Sequence, residues 1–160
     1  MRLSLRAQAT LACLACAASS ASAAEPTLEQ LLAEPSPSEI AANWKAVCLE
    51  HAGDTAAQRD AVEQLKIDWP YQAMFDEAGG KPACMMVSST SLDVTGQALG
   101  DAVVQASQPL ELRDVERRNR RFSATMMIDG SLFRVEASVT PSQGVATAVF
   151  ALIDMKEKQR

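Results

Sequence analysis

The chain has 160 residues, a formal net charge of −5, one histidine and 4% aromatic side chains. That length suits one folded domain around one core. The acidic balance excludes general nucleic-acid binding, which needs a net basic surface, and the single histidine, His51, leaves any Ser-His-Asp, Cys-His or multi-histidine mechanism one side chain to work through.

The first residues carry an export pattern. Arg2 and Arg6 precede an apolar run from Leu11 to Ala18, and Ser20-Ala21-Ser22-Ala23 has the small side chains that a signal peptidase accepts. Residues 1–23 are therefore predicted to be a signal peptide cleaved near Ala23, and residues 24–160 a single α+β domain whose charged tail from Lys156 frays. The expected location is periplasmic or secreted. A lipid anchor is the alternative, but it needs Leu three residues before the acylated Cys, where Thr10 stands for Cys13 and Cys13 for Cys16. No later segment approaches the about eighteen consecutive apolar residues of a membrane span, so the mature chain is expected to have no transmembrane segment.

Thr27 and Gln30 have capping-box spacing for a short first helix that Pro35 ends. Ser36-Pro37-Ser38-Glu39 is a stronger start, with a Ser cap, Pro at the first helical position and Glu three residues after the cap. This second helix is predicted to run to about Ala52, with Ile40, Trp44, Val47, Cys48 and His51 on one inward stripe and Gly53 as the stop. Asp54 or Thr55 caps a third helix whose apolar face is Ala61, Val62 and Leu65. Asp68-Trp69-Pro70 opens a short turn or helix through Phe75. Residues 83–90 then read as a buried strand expected at a sheet edge, and a helix over about 95–107 follows, weakened by Gly96 and Gly100.

The last forty residues read as a three-stranded meander. Asp129-Gly130 is a two-residue hairpin signal and Pro141-Ser142-Gln143-Gly144 a four-residue one. Across the first turn Met126 faces Phe133, Ala124 faces Val135 and Phe122 faces Ala137. Across the second the spacing sets Val139 opposite Ala146, Ala137 opposite Ala148, Val135 opposite Phe150 and Phe133 opposite Leu152. All of these lie on one side, because side chains alternate with period two. The other side carries Thr125, Arg134, Glu136, Ser138 and Thr147 together with Leu132, Val145, Val149 and Ile153. The whole order predicts a two-layer α+β sandwich, with N-terminal helices and one crossover helix packed on a mainly antiparallel sheet.

Export decides how the cysteines are read. Cys13 and Cys16 leave with the signal, so Cys48 and Cys84 are the pair left in an oxidising compartment and are predicted to form a disulfide. Closing the long loop between them is worth roughly 3 to 4 kcal/mol. The rival is a metal site of Cys48, His51 and Cys84 with Asp54 nearby, which has one ligand-spacing pair where strong zinc patterns have two. No second Cys stands two residues from either partner, as a redox pair would require.

Other residues give weaker patterns. Glu50 with Asp54, or Asp76 with Glu77, could serve as paired carboxylates, yet neighbouring acids on a helix face water. Met85-Met86 and Met126-Met127 each split between the two sides of a strand, which suits core filling over a thioether metal site. Within Arg113–Arg121 five arginines stand against two acids, and Arg117, Arg118, Arg120 and Arg121 are candidate contacts for an anion or a partner.

Cys48, Gly53-Asp54, a short helix, Phe75, a glycine-containing turn and Cys84 at a strand start together resemble a family of small uncharacterised exported proteins of Gram-negative bacteria. The likeness spans about residues 44–90. It implies a periplasmic protein and supports the disulfide, and it transfers no activity. With no glycine-rich phosphate loop and no metal cluster, the residues call for no cofactor and no catalytic set. The sequence therefore points to a non-enzymatic binding or accessory protein whose partner is a protein or an anionic envelope ligand. A homodimer through Leu132, Val149 and Ile153 is a further possibility. The alternative is a small hydrolase or metal-dependent enzyme centred on His51, Asp54 and Glu50.

Overall fold

The computed structural model describes residues 34–78 and 80–156. The predicted signal peptide at 1–23, the helix expected near Thr27 and the last residues of the tail lie outside the described residues. Pro37–Trp44 forms α1 behind the expected capping box. Ser36 Oγ accepts the Glu39 N–H at 3.3 Å, and the Glu39 carboxylate accepts the Ser36 N–H at 2.8 Å. These bonds satisfy two otherwise unpaired donors of the first turn.

The helix does not continue regularly to Ala52. Lys45–Leu49 widens into a π-helical turn, closed by the Glu50 N–H donating to the Lys45 carbonyl at 2.9 Å. The extra residue brings Val47, Cys48 and Leu49 inside together, while the expected inward positions Ile40 and Trp44 hold. Gly53 then turns the chain at φ +81°, its α carbon facing the Phe133 ring. Thr55–Gln64 forms α2, capped by Asp54 through the Ala57 N–H at 3.0 Å. Its buried side is Ala61 with Gln58, and Leu65, expected inside, is half exposed. Gln58 is tolerated there because its amide donates to the Cys48 carbonyl at 3.4 Å.

Tyr71–Ala78 is a strand, β1, and not the turn or short helix that Asp68-Trp69-Pro70 suggested. It pairs residue for residue with β2, Lys81–Thr90. Gln72, Ala73, Met74 and Ala78 are poor strand formers, and pairing with β2 overrides that propensity. The helix Gly96–Ser107, α3, crosses to the far side of the sheet, where β3 (Arg113–Arg118) and β4 (Arg121–Ile128) begin a run of hairpins with β5 (Ser131–Pro141) and β6 (Ala146–Asp154). The sheet is antiparallel throughout, in the order β1-β2-β6-β5-β4-β3. The strand at 83–90 is thus internal: β1 covers its outer side, so the expected edge position is wrong.

The first hairpin register is as expected, with Met126 opposite Phe133, Ala124 opposite Val135 and Phe122 opposite Ala137. Asp129 and Gly130 take the positive φ angles that a two-residue turn requires. The second register is displaced by two residues, so that Val139 meets Ala148, Ala137 meets Phe150 and Val135 meets Leu152. Pro141 stays in the strand opposite Ala146, and the loop begins at Ser142, whose N–H donates to the Val145 carbonyl at 2.8 Å. A shift of two preserves which side each residue faces. The helices therefore cover a continuous apolar face that includes Met86, Phe122, Met126, Val135 and Phe150, with Trp44 tilted against Phe150 at 6.4 Å between centroids. The molecule is a two-layer α+β sandwich.

Candidate functional site

Cys48 in the π-helical turn and Cys84 in β2 form a disulfide across 36 positions, with their α carbons 5.5 Å apart. Both are buried. The bond fixes the helical layer to the second strand of the sheet, which is the role the spacing suggested.

Glu50, His51 and Asp54 do not converge into a reacting centre. Asp54 spends a carboxylate oxygen on the α2 cap, its N–H donates to the His51 carbonyl at 3.1 Å, and Glu50 is exposed in the turn. Among the described residues no group of three or more His, Cys, Asp or Glu side chains is placed to hold a metal ion. A cleft of about 400 Å³ does open beside the disulfide, where Gly53, Arg59, Phe75, Asp76, Cys84 and Asp154 form much of its wall. Arg59 places its guanidinium 5.1 Å from the Phe75 ring centre. Sequence reasoning missed this cleft because its wall is drawn from five separate elements, α2, β1, β2, β5 and β6.

The arginine segment is the edge hairpin β3–β4, and it is held by glycines that looked like helix weaknesses. The Gly96 N–H donates to the Asn119 carbonyl at 2.6 Å, and a side chain at Gly96 would collide with the Arg118 carbonyl. One turn on, Gly100 faces Phe122 and Arg117. The two glycines let α3 lie directly on the hairpin.

This packing divides the four candidate arginines. Arg117 points to the helix side, where it lies 5.7 Å from the Phe122 ring centre and 3.5 Å from Asp101. Arg120 is exposed in the turn and gives its carbonyl to the Val139 N–H at 3.0 Å. Arg118 and Arg121 face the opposite way. With Arg134 of β5 they surround Ser123 in a hollow of about 80 Å³ on the helix-free face. Glu116 meets Arg118 at 3.3 Å, and Glu136 meets Arg134 at 2.9 Å and Arg121 at 3.9 Å. Of the four candidate arginines, Arg118 and Arg121 share this hollow with Arg134, while Arg117 and Arg120 lie elsewhere on the hairpin. Three guanidinium groups share two carboxylates, and each is at least two-fifths exposed.

The registers extend that face across all six strands. Met74, Met85, Ala151, Glu136 and Ser123 lie in one cross-strand row, Asp76, Ala83, Ile153, Arg134 and Thr125 in the next, and Gln72, Val87, Val149, Ser138 and Arg121 in a third. The half formed by β1, β2 and β6 is mainly apolar in its middle, with Gln72, Asp76 and Lys81 toward its margin, and the half formed by β5, β4 and β3 carries Arg118, Arg121, Arg134, Glu116 and Glu136. Ile153 is buried against Ala83 and Ala151, Val149 is half-buried, and Leu132 stands apart opposite Met127, so these three do not make one contiguous patch. Among the described residues no helix is long and apolar enough to cross a membrane. No family model matches this sequence, and no curated protein matches it.

Proposed function

We propose that this is an exported, periplasmic, non-catalytic accessory protein that binds another protein through its helix-free sheet face. The observation that carries this reading is the juxtaposition, on the helix-free face of the sheet, of an apolar patch around Met74, Met85 and Val149 with a cationic hollow of Arg118, Arg121 and Arg134. A partner with an apolar patch bordered by carboxylates fits that pattern. Apolar contact supplies affinity, and arginine forks set orientation by pairing with carboxylates. The disulfide supports the export side of the reading, since such bonds persist in oxidising compartments.

Photocrosslinking in intact cells tests it. A photoreactive residue at Thr125 or Ser138, on the open face, is expected to capture one discrete partner, while the same residue at Ala57 or Gln105, on the helical layer, does not. Charge reversal at Arg118, Arg121 and Arg134 abolishes the adduct, and His51→Ala leaves it intact. An adduct that ignores the reversals, or one that forms equally from the helical layer, contradicts the proposal. Loss of the cellular phenotype with His51→Ala alone would favour the enzyme reading instead.

A further inference from the structure

The two edges of the sheet differ. At one edge β3 is exposed over all six residues, five of them charged, and a bulge between Arg113 and Glu116 with Asp114 at φ +50° breaks its line. Charges and bulges of this kind block the addition of another strand. At the other edge β1 pairs with β2 over eight consecutive residues without a bulge, and its only charged positions, Asp76 and Glu77, stand at one end. Trp69, two residues before β1, is 82% exposed, the most exposed large apolar side chain among the described residues.

The ladder pattern shows which backbone groups β1 turns outward. A two-residue connection makes Ala78 and Lys81 a hydrogen-bonded pair, so Gln72, Met74 and Asp76 also bond to β2 and the intervening residues point away. The Tyr71 N–H agrees, since it donates to the Asp68 carbonyl at 2.9 Å. Ala73 and Phe75 are left presenting N–H and C=O groups outward.

We infer that β1 is a self-association edge, to which β1 of a second copy of this chain adds in antiparallel register. Charge placement selects the second copy. In the two-fold register centred on Met74, Ala73 of each strand lies opposite Phe75 of the other, and the acidic positions Asp76 and Glu77 lie opposite the uncharged Gln72 and Tyr71, so the acidic ends do not meet. The pairing also closes. The guarded β3 edges lie at the two far ends, so addition stops at a dimer and does not continue into a filament. The two apolar halves of the helix-free face become neighbours across the axis, at Met74, while the arginine hollows stay accessible at either end. One strand pair is smaller than the about 1,600 Å² of a standard interface, so the dimer is expected to be weak and concentration-dependent. This inference does not depend on the proposed partner.

The test uses the purified exported chain with its disulfide intact. Sedimentation is expected to show a monomer–dimer equilibrium, and hydrogen exchange to show the Ala73 and Phe75 amides becoming protected as concentration rises. Ala73→Pro removes an outward N–H without costing a bond to β2, a position where an edge strand accepts proline. It is expected to weaken association about tenfold or more with thermal melting little changed. Should that variant fail to fold, Met74→Lys puts like charges beside the axis and is expected to give the same loss. A chain that stays monomeric at high concentration overturns the inference. So does a dimer in which the Ala73 and Phe75 amides exchange freely, and so does protection of those amides only on addition of a different protein.

Discussion

Gly100 lies so close to Phe122 that a methyl group at position 100 would sit 2.6 Å from the ring, which is itself fully buried. The contact seats the crossover helix on the hairpin that carries Arg117, Arg118, Arg120 and Arg121. Helix propensity favours Ala over Gly by about 1 kcal/mol, and here the steric term wins. Gly100→Ala is expected to destabilise the fold by about 1 to 3 kcal/mol, read as a lower denaturation midpoint. Gly96→Ala costs more, because the atom it meets is the Arg118 carbonyl of the backbone and not the end of a side chain.

The arginines lie on two different sides of the edge hairpin. Arg117→Met is expected to lower thermal stability slightly, by about 0.5 to 1 kcal/mol for the lost contact over Phe122, and to leave partner capture unchanged. Arg118→Glu with Arg121→Glu should do the reverse, since both side chains are largely exposed and surface pairs of this kind contribute little to folding. Melting curves and crosslinking yields on the same variants check the division.

Reduction of the Cys48–Cys84 bond, or Cys84→Ala, is expected to cost roughly 3 to 4 kcal/mol of stability. Urea titrations with and without reductant measure it. Because the clasp joins the π-helical turn to β2, amide exchange in Lys45–Leu49 is expected to rise before exchange in β5.

The Glu39 carboxyl is held below the ordinary carboxylate range, first by the hydrogen bond from the Ser36 backbone N–H and then by the Ser36 hydroxyl. A lowered folded-state value means that the ionised form contributes stability. That contribution is complete above the ordinary value for an unfolded Glu and disappears as pH falls through the folded one. Glu39→Gln is expected to melt at lower temperature than the unsubstituted chain at neutral pH, and the gap should close in acid. A gap that widens in acid would contradict this.

Much of the fold was legible because burial leaves a period in the sequence. Phe133, Val135 and Ala137 alternate with polar neighbours and face the helices, and Ser36-Pro37-Ser38-Glu39 carries its own capping chemistry. The two strands that sequence reasoning missed, β1 and β3, are the two edges. Edge residues are half solvated, so Arg113–Arg118 shows no apolar alternation and Tyr71–Ala78 is built of residues that serve helices equally well. Missing β1 also misplaced β2. The second hairpin differs from its expected register for a local reason: Pro141, whose type suggests the first turn residue, is the last strand residue before the loop.

The candidate site was legible only as a concentration of arginines. Consecutive strand residues face opposite sides, so Arg117 and Arg118 separate, a consequence that becomes visible only once Arg113–Arg118 is a strand. Arg134 joins the hollow through the β4–β5 register, with Thr125 opposite it and Ser123 two residues along. The glycines of α3 were visible but misread, because the surface they admit lies in another element.

The account rests on export having joined Cys48 to Cys84, and intact mass measured after alkylation without reduction tests that most directly. Protein recovered from the cell envelope is predicted to lack residues 1–23, to take up no alkylating agent and to weigh two hydrogens less than the corresponding dithiol. A chain that retains residues 1–23 and is alkylated at both Cys48 and Cys84 would contradict the account.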